Sequence, residues 1–420
     1  MKKLLPEVAD SERMKEVLKE ESILAFSVIK WVLLATLIGL IVGCSTAGFL
    51  KALEAAIDFA SGIPYYYLLL PLAMAMSALL VRWLAPDAEG HGTEKVIEAV
   101  HKRSGRINIL VVPVKLVATV LTIAAGGSAG KEGPCAQIGA GLSSSVAGLF
   151  GFNDHDRKKL VICGISAGFA SVFGTPIAGA IFGVEVLFAG SILYEVLLPS
   201  FISGVTAFQV SRALGITYFA HSIAVVPVFT EAFFIKVVLA GMVFGLCSVV
   251  TIEIVRRLGR IGSAMKLPLP LKALFTGTTL GFGGSGGIVT PIFFIGSTAG
   301  AAFANIVGLD PPTFAGIGLV CLLAGSANTP IAASIMSVEL FGSKIATYAT
   351  VACVISFLMT GHRSIFPSQV VAIRKSSSFD VEMGGEMQDV KGVPKIREDG
   401  LAAKGLRFMR ALARLTKRKP

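Results

Sequence analysis

The chain has 420 residues, of which 54% are hydrophobic and 15% charged, with a formal net charge of +11 and a mean hydropathy of +0.75. Soluble domains carry about 25% charged residues, so this composition excludes an ordinary soluble protein and points to a polytopic membrane protein. The six cysteines lie among apolar or small residues and form no CxxC pair, so they read as small buried hydrophobes, with neither a disulfide framework nor a metal site expected.

Residues 1–25 are interrupted by Glu7, Asp10, Glu12 and Arg13. They lack the uninterrupted apolar core of a secretory signal and read as a partly amphipathic, cytoplasmic N-terminal helix. A first membrane half is expected over 26–213. Its helices are expected near 26–58, 65–84, 108–125, 133–149, 158–172, 176–190 and 194–213, with a short polar-flanked piece from His91 to Lys102. Residues 214–229 read as a linker loop. A second half over 230–375 has segments near 230–257, 269–281, 291–307, 313–326, 329–341 and 344–360, and a last piece at 364–375. A full crossing needs about 20 apolar residues. The shorter segments read as tilted or re-entrant helices, which persist only when buried in protein.

Residues 376–420 form a basic tail that ends Lys417-Arg418-Lys419. The positive-inside tendency puts such a tail in the cytoplasm, which predicts a plasma (inner) membrane protein with both termini cytoplasmic. Within the tail, Leu406, Met409, Leu412 and Leu415 have helical spacing, with Arg407, Arg410 and Arg414 between them. Leu401–Leu415 therefore reads either as a basic helix on anionic lipid or as a flexible solvated segment. No nucleic-acid motif accompanies it, so lipid and not nucleic acid is the expected partner. The tail is shorter than a small domain of about 50 residues, and no regulatory domain is expected in it.

The chain contains itself twice. Gly126-Gly127-Ser128-Ala129-Gly130-Lys131-Glu132-Gly133-Pro134 aligns with Gly283-Gly284-Ser285-Gly286-Gly287-Ile288-Val289-Thr290-Pro291, 157 residues on, and both continue to Ile-Gly. A second pair, Thr175-Pro176-Ile177-Ala178 and Thr329-Pro330-Ile331-Ala332, follows at an offset of 154 and runs on to Val184-Glu185 and Val338-Glu339. Duplication of this kind is a transporter architecture, with the substrate at mid-membrane on broken helices. The halves are inverted if the spans per half are odd in number.

Each repeated block is Gly-rich backbone that leads into a helix. Exposed backbone N–H groups and the roughly half positive charge of a helix start make an anion site without a formal cation. Gly90-His91-Gly92-Thr93 is a third such start. Against this background Glu132 stands out. A carboxylate in the membrane interior costs a few kcal/mol, but at a helix start it is stabilised by the donors that would bind an anion. It would compete with the anion, and protonation would end the competition. The alternative is a capping glutamate held by Lys131 at a water-facing helix end. His91 has two readings as well, an anion-binding imidazole that charges near pH 6.5 or a cap facing a vestibule.

Gly130-Lys131-Glu132-Gly133-Pro134 resembles the GK/REGP signature of the CLC family of chloride channels and chloride/proton exchangers. Gly90-His91-Gly92-Thr93 stands where that family has a GSGIP-type segment. Gly287-Ile288-Val289-Thr290-Pro291 resembles its GxFxP segment, and residues 361–369 (GHRSIFPSQ) resemble its last helix start. The resemblance covers roughly residues 26–375. It implies an all-α fold of two inverted repeats of broken and tilted helices, a homodimer with one pore per subunit, and chloride as the transported ion, with no cofactor and no enzymatic activity. It implies Glu132 as the gate and an anion site formed by Gly90, His91, Gly92, Gly130, Lys131, Gly133, Gly287, Ile288, Val289 and Phe366. His91, Val289 and Phe366 replace the family's Ser, Phe and Tyr. Pro134 is the chloride-type residue after the signature, which places fluoride behind chloride.

The family's exchangers usually carry a second, internal glutamate for protons. That position falls on Val186, with Glu185 beside it, so Glu185 and Val186 are the candidates for an internal proton path. An apolar residue there resembles the channel branch. A glutamate-gated chloride channel is therefore the leading expectation and a chloride/proton antiporter the alternative. More distant is a cation-coupled solute transporter, which also uses inverted repeats but needs cation sites from acids that are few here. No HExxH or GxSxG motif suggests an enzyme.

Overall fold

The computed structural model describes residues 4–219, 223, 230–258, 271–281, 283–390 and 395–396. The first half contains α1 (Leu4–Ser61), α2 (Leu70–Leu84), α3 (Thr93–Lys102), α4 (Val111–Ala124), α5 (Glu132–Leu149), α6 (Asp154–Phe173), α7 (Pro176–Glu185) and α8 (Tyr194–Ala213). The second contains α9 (Glu231–Leu258), α10 (Leu271–Gly281), α11 (Val289–Val307), α12 (Pro311–Ala327), α13 (Pro330–Phe341) and α14 (Ala346–Met359). The protein is nearly all helical. Among the described residues there are two small sheets: β1 (Phe188–Ala189) pairs in parallel with β2 (Val370–Val371), and β3 (Phe379–Asp380) pairs antiparallel with β4 (Lys395–Ile396).

Equivalent residues start and stop equivalent helices. Asn153 caps α6 by accepting the Asp156 N–H, and Asp310, 157 positions on, caps α12 by accepting the Thr313 N–H. Both helices end on a left-handed residue, Gly174 and Asn328. Proline opens both α7 and α13, where its missing N–H costs nothing.

Among the described residues four helices are long and apolar enough to cross a membrane by length and composition: Met14–Ser61, Tyr66–Leu84, Glu231–Arg257 and Val289–Val307. Large apolar side chains face outward, among them Phe26, Leu33, Leu72, Trp83 and Leu246. Serines and threonines such as Ser166, Ser203, Thr119 and Thr279 are buried. That reverses the pattern of a soluble protein and suits a lipid surround.

Small residues bring the inner helices together. A Cβ on Gly139 would lie 2.3 Å from the Gly164 carbonyl oxygen, and one on Gly164 would lie 2.4 Å from that of Gly139. In the second half Gly296 and Gly318 repeat the arrangement at 2.4 and 2.3 Å. The α5–α6 and α11–α12 crossings are therefore the same backbone-on-backbone contact made twice, the kind of packing small residues permit in membranes.

The repeats are inverted. The Glu185 carboxylate, at the end of α7, accepts the Ile331 and Ala332 N–H groups at the start of α13, at 3.1 and 2.8 Å. The Glu339 carboxylate, near the end of α13, accepts the Ile177 and Ala178 N–H groups at the start of α7, at 2.9 and 2.8 Å. Two equivalent helices that each cap the other's start must run antiparallel, as a two-fold axis across the helices requires. The same axis relates the loops before α5 and α11. Ser128 N–H donates to Thr279 Oγ1 and Ser285 N–H to Thr122 Oγ1. The Ser128–Thr276 and Thr119–Ser285 hydroxyl pairs lie at 3.1 and 3.2 Å.

The symmetry is incomplete. Among the described residues α2 and α3 have no counterpart in the second half, where α9 is followed directly by α10. Most expected helix pieces fall close to the observed ones, but α1 runs unbroken from Leu4 through the expected N-terminal helix and first span, and α7 stops at Glu185, short of the expected 190, where Phe188–Ala189 pairs as β1. The last piece, 364–375, differs. Residues 364–369 form no helix, and Val370–Val371 becomes strand β2. Pro367 removes a helical donor, and the chain is held by other bonds, Ile365 N–H to Ser326 O and Val370 N–H to Leu187 O. The first part of the tail folds back on the membrane core through Met387 N–H to Gln369 O and Gln388 N–H to Pro367 O. The expected helix at 401–415 lies outside the described residues.

Candidate functional site

Two helix starts meet head to head. The loops before α5 and α11 form an antiparallel bridge, with Gly130 N–H donating to Gly287 O at 2.7 Å and Gly287 N–H to Gly130 O at 2.5 Å. A side chain fits at neither position: a Cβ on Gly130 or Gly287 would lie 2.3 and 2.2 Å from the Glu132 carboxylate oxygens. The glycines therefore leave room for that carboxylate.

Glu132 is 1% exposed. Its carboxylate does not turn back on its own helix or on Lys131. It crosses to α11, where Oε1 accepts the Val289 N–H at 2.6 Å and the Thr290 N–H at 3.1 Å, and Oε2 accepts the Thr290 hydroxyl at 2.7 Å. Ile288 is the N-cap of α11 and is buried. Three convergent donors at the positive end of a helix form an anion site, and the carboxylate occupies it.

The third helix start lies directly against this pair. Gly90 and Gly92 both have left-handed φ, +73° and +81°, which lets the chain turn sharply before α3. A Cβ on Gly133 would lie 2.0 Å from the His91 carbonyl oxygen, and one on Gly92 would lie 2.6 Å from the Gly133 carbonyl oxygen. The turn is pinned by a lysine that sequence reasoning passed over. Lys115, fully buried in α4, donates to Ala88 O at 3.0 Å and Gly90 O at 2.6 Å. A charge inside an apolar segment was the available signal. Gln137 adds a second pin by donating to Asp87 O at 2.7 Å.

The His91 ring lies 5.6 Å from that of Phe366, which is fully buried. The geometry thus brings Gly90, His91, Gly92, Gly130, Glu132, Gly133, Gly287, Ile288, Val289 and Phe366 into one chain of contacts. Lys131, half-buried at the N-cap of α5, stands beside them. Thr290 belongs in the group and was missed. Its hydroxyl follows the position that aligns with Glu132, and only the folded contact reveals it as a donor.

Glu185 and Val186 lie elsewhere, at the α7–α13 pair. Glu185 is 3% exposed with both oxygens bound as a cap. Val186 is fully buried, and its carbonyl accepts Gln369 Nε2 at 2.9 Å.

A family model described as "Voltage gated chloride channel" matches residues 72–274 and 262–361. A "Chloride/fluoride channel protein" of Pseudomonas syringae pv. tomato is 34% identical over 397 residues, covering 82% of this chain and 87% of that protein. The crystal structure of a CLC-type fluoride/proton antiporter superposes with a TM-score of 0.77 at 25% identity, over 82% of this chain and 98% of that one. The X-ray structure of a slow cyanobacterial Cl-/H+ antiporter, at 20% identity and a TM-score of 0.68, covers 79% of this chain and 94% of that one and shares the fold. The family match spans most of the membrane core, and the Pseudomonas relative aligns along most of both proteins. The chain belongs to the voltage gated chloride channel family, the CLC family of chloride channels and exchangers.

Proposed function

We propose that this chain is an anion/proton antiporter in which Glu132 is both gate and proton carrier. The observation that carries the reading is the docking of the Glu132 carboxylate on Val289 and Thr290. A carboxylate held by three donors stands in the place of a transported anion. It leaves when it takes a proton, and the anion enters as it leaves. The two events are then linked through one site, which is the condition for exchange. The similarity to a solved fluoride/proton antiporter favours the same reading.

The site residues are the backbone donors at Gly90–Gly92, Gly130–Gly133 and Gly287–Val289, with the Thr290 hydroxyl and the Phe366 ring. Partial charges, and not a bare lysine, hold the anion, which keeps binding weak enough for release. Chloride is the anion in this reading. Fluoride is its competitor, since two relatives carry that ion in their descriptions. The protein sits in the plasma (inner) membrane with both termini cytoplasmic, as a homodimer with one pore per subunit.

A glutamate-gated channel is the second reading. The apolar Val186 favours it, as does the description of the Pseudomonas relative as a channel. Reversal potentials in planar bilayers separate the two. With symmetric chloride and a proton gradient, exchange predicts a non-zero reversal potential and a channel predicts zero. Repeating the measurement in fluoride identifies the preferred anion.

A further inference from the structure

The inverted repeats leave one flank unmatched. In the first half α2 packs on α4 through Val81, Val114 and Ala118. The reciprocal Thr122 and Thr279 contacts make α10 the counterpart of α4. Among the described residues no counterpart of α2 lies beside α10. The loop after α10 instead approaches α2 itself, where a Cβ on Gly283 would lie 2.7 Å from the Ala78 Cβ. Between α2 and α10 lies a cavity of about 350 Å³, within the roughly 300–1,000 Å³ of a ligand pocket.

The body of the cavity suits hydrocarbon. Ala78 and Val81 of α2 and Leu280 of α10 line it, and its floor is the backbone at Gly283, Gly284 and Ser285. Irregular backbone at membrane depth tolerates an apolar neighbour only where its polar groups are already satisfied. Here Gly283 N–H donates to Leu280 O at 3.3 Å, Gly284 N–H to Thr279 O at 2.8 Å and Ser285 N–H to Thr122 Oγ1 at 3.0 Å. These donors are spent on the protein, so the floor suits an acyl chain and not an anion.

One end of the cavity is charged. Arg82, in the last turn of α2, and Glu89, just before the Gly90 turn, both line it and both are exposed. Among the described residues neither joins an ion pair, although Asp87, between them in sequence, is paired with Arg103 at 2.6 Å. Trp83, beside Arg82, is 75% exposed, and exposed tryptophans at the ends of spans mark the headgroup level. The charged end therefore lies where the Tyr66–Leu84 span meets water. The second cavity along α2, floored by Gly126, Gly127 and Ser128, has no charged residue in its lining. That leaves the Arg82 end as the place for a headgroup.

We infer that this cavity binds a phospholipid whose headgroup carries a phosphate and a primary ammonium, of the phosphatidylethanolamine type. The phosphate accepts from the Arg82 guanidinium, whose planar fork matches phosphate oxygens. The ammonium donates to the Glu89 carboxylate, and an acyl chain lies along Ala78, Val81 and Leu280. A purely anionic lipid would satisfy Arg82 but set a second negative charge beside Glu89. Gly90 lines the same cavity as Ser285. The bound lipid thus braces the turn before α3 and the loop before α11, two of the three helix starts that meet at Glu132. The inference holds for an exchanger and a channel alike.

The test is native mass spectrometry of the full chain, delipidated in detergent and titrated with phosphatidylethanolamine or phosphatidylglycerol. Wild type is expected to hold one phosphatidylethanolamine per subunit about tenfold more tightly than phosphatidylglycerol. Arg82→Gln is expected to weaken both lipids by about tenfold, and Arg82→Lys to recover part of the loss. Glu89→Gln is expected to erase the preference while phosphatidylglycerol still binds. Both substitutions are at exposed positions, so the melting temperature without lipid should match wild type. Equal affinity of wild type for the two lipids overturns the assignment, as does wild-type binding in both Arg82→Gln and Glu89→Gln. A chain that retains no phospholipid, as a monomer or as a dimer that closes the groove, overturns it as well.

Discussion

The Glu132 carboxylate accepts the Val289 N–H at 2.6 Å, although the two residues belong to different repeats and occupy equivalent positions in them. The second repeat supplies a helix start with nothing but backbone and a hydroxyl to offer. The first repeat supplies, at the same position, the side chain that fills it. An otherwise symmetric pair of helix starts thus becomes one in which a side chain of the first repeat fills the start of the second.

Among the described residues the hydroxyl of Thr290 is the one side-chain donor to the Glu132 carboxylate. Thr290→Val removes it and preserves both N–H donors. Anion binding in the Glu132→Gln background, measured by titration calorimetry, is expected to weaken by about 1 kcal/mol, or roughly fivefold. Unchanged affinity would show that the anion rests on the backbone alone.

Gly133 is the point where two helix starts touch. A methyl group there meets the His91 carbonyl oxygen at 2.0 Å, and backbone on both sides leaves little room to yield. Gly133→Ala is expected to cost about 1–3 kcal/mol, lower the melting temperature in detergent and abolish anion flux. Gly148→Ala is the control, because a Cβ there meets nothing within 4 Å.

Glu185 and Glu339 are reciprocal caps, so their loss should be similar in size. Each alanine variant leaves two N–H groups at a helix start unpaired, a cost of about 2 kcal/mol. Thermal unfolding should rank Glu185→Ala and Glu339→Ala together. The folded Glu185→Ala protein should keep the wild-type ratio of protons to anions, and loss of coupling there would return Glu185 to the proton path.

Much of this was legible in the chain. The 157-residue offset located both broken-helix starts, because glycines and prolines punctuate backbone in ways tolerant of little else. It could not reveal which start holds which group. Glu132 stands at the head of α5 in sequence, yet its donors belong to α11. Glu185 and Glu339 show in sequence only as matching positions of the repeat for the same reason, since each caps a helix that is remote in sequence. Residues 364–369 read as a helix start from their likeness to a family segment, whereas Pro367 and the Ser368–Glu94 contact hold them as a turn. Lys115 and Thr290 matter through contacts that only the folded chain makes.

In the proposed exchange one carboxylate links anion entry to proton movement. The direct measurement is external pH in lightly buffered proteoliposomes as an imposed chloride gradient runs down, with the same experiment in fluoride. Exchange through Glu132 predicts that protons move uphill in a fixed ratio to the anion in wild type. It predicts that Glu132→Gln passes anion with no proton movement. Anion flux without uphill proton movement in wild type, or proton coupling that survives in Glu132→Gln, would contradict it.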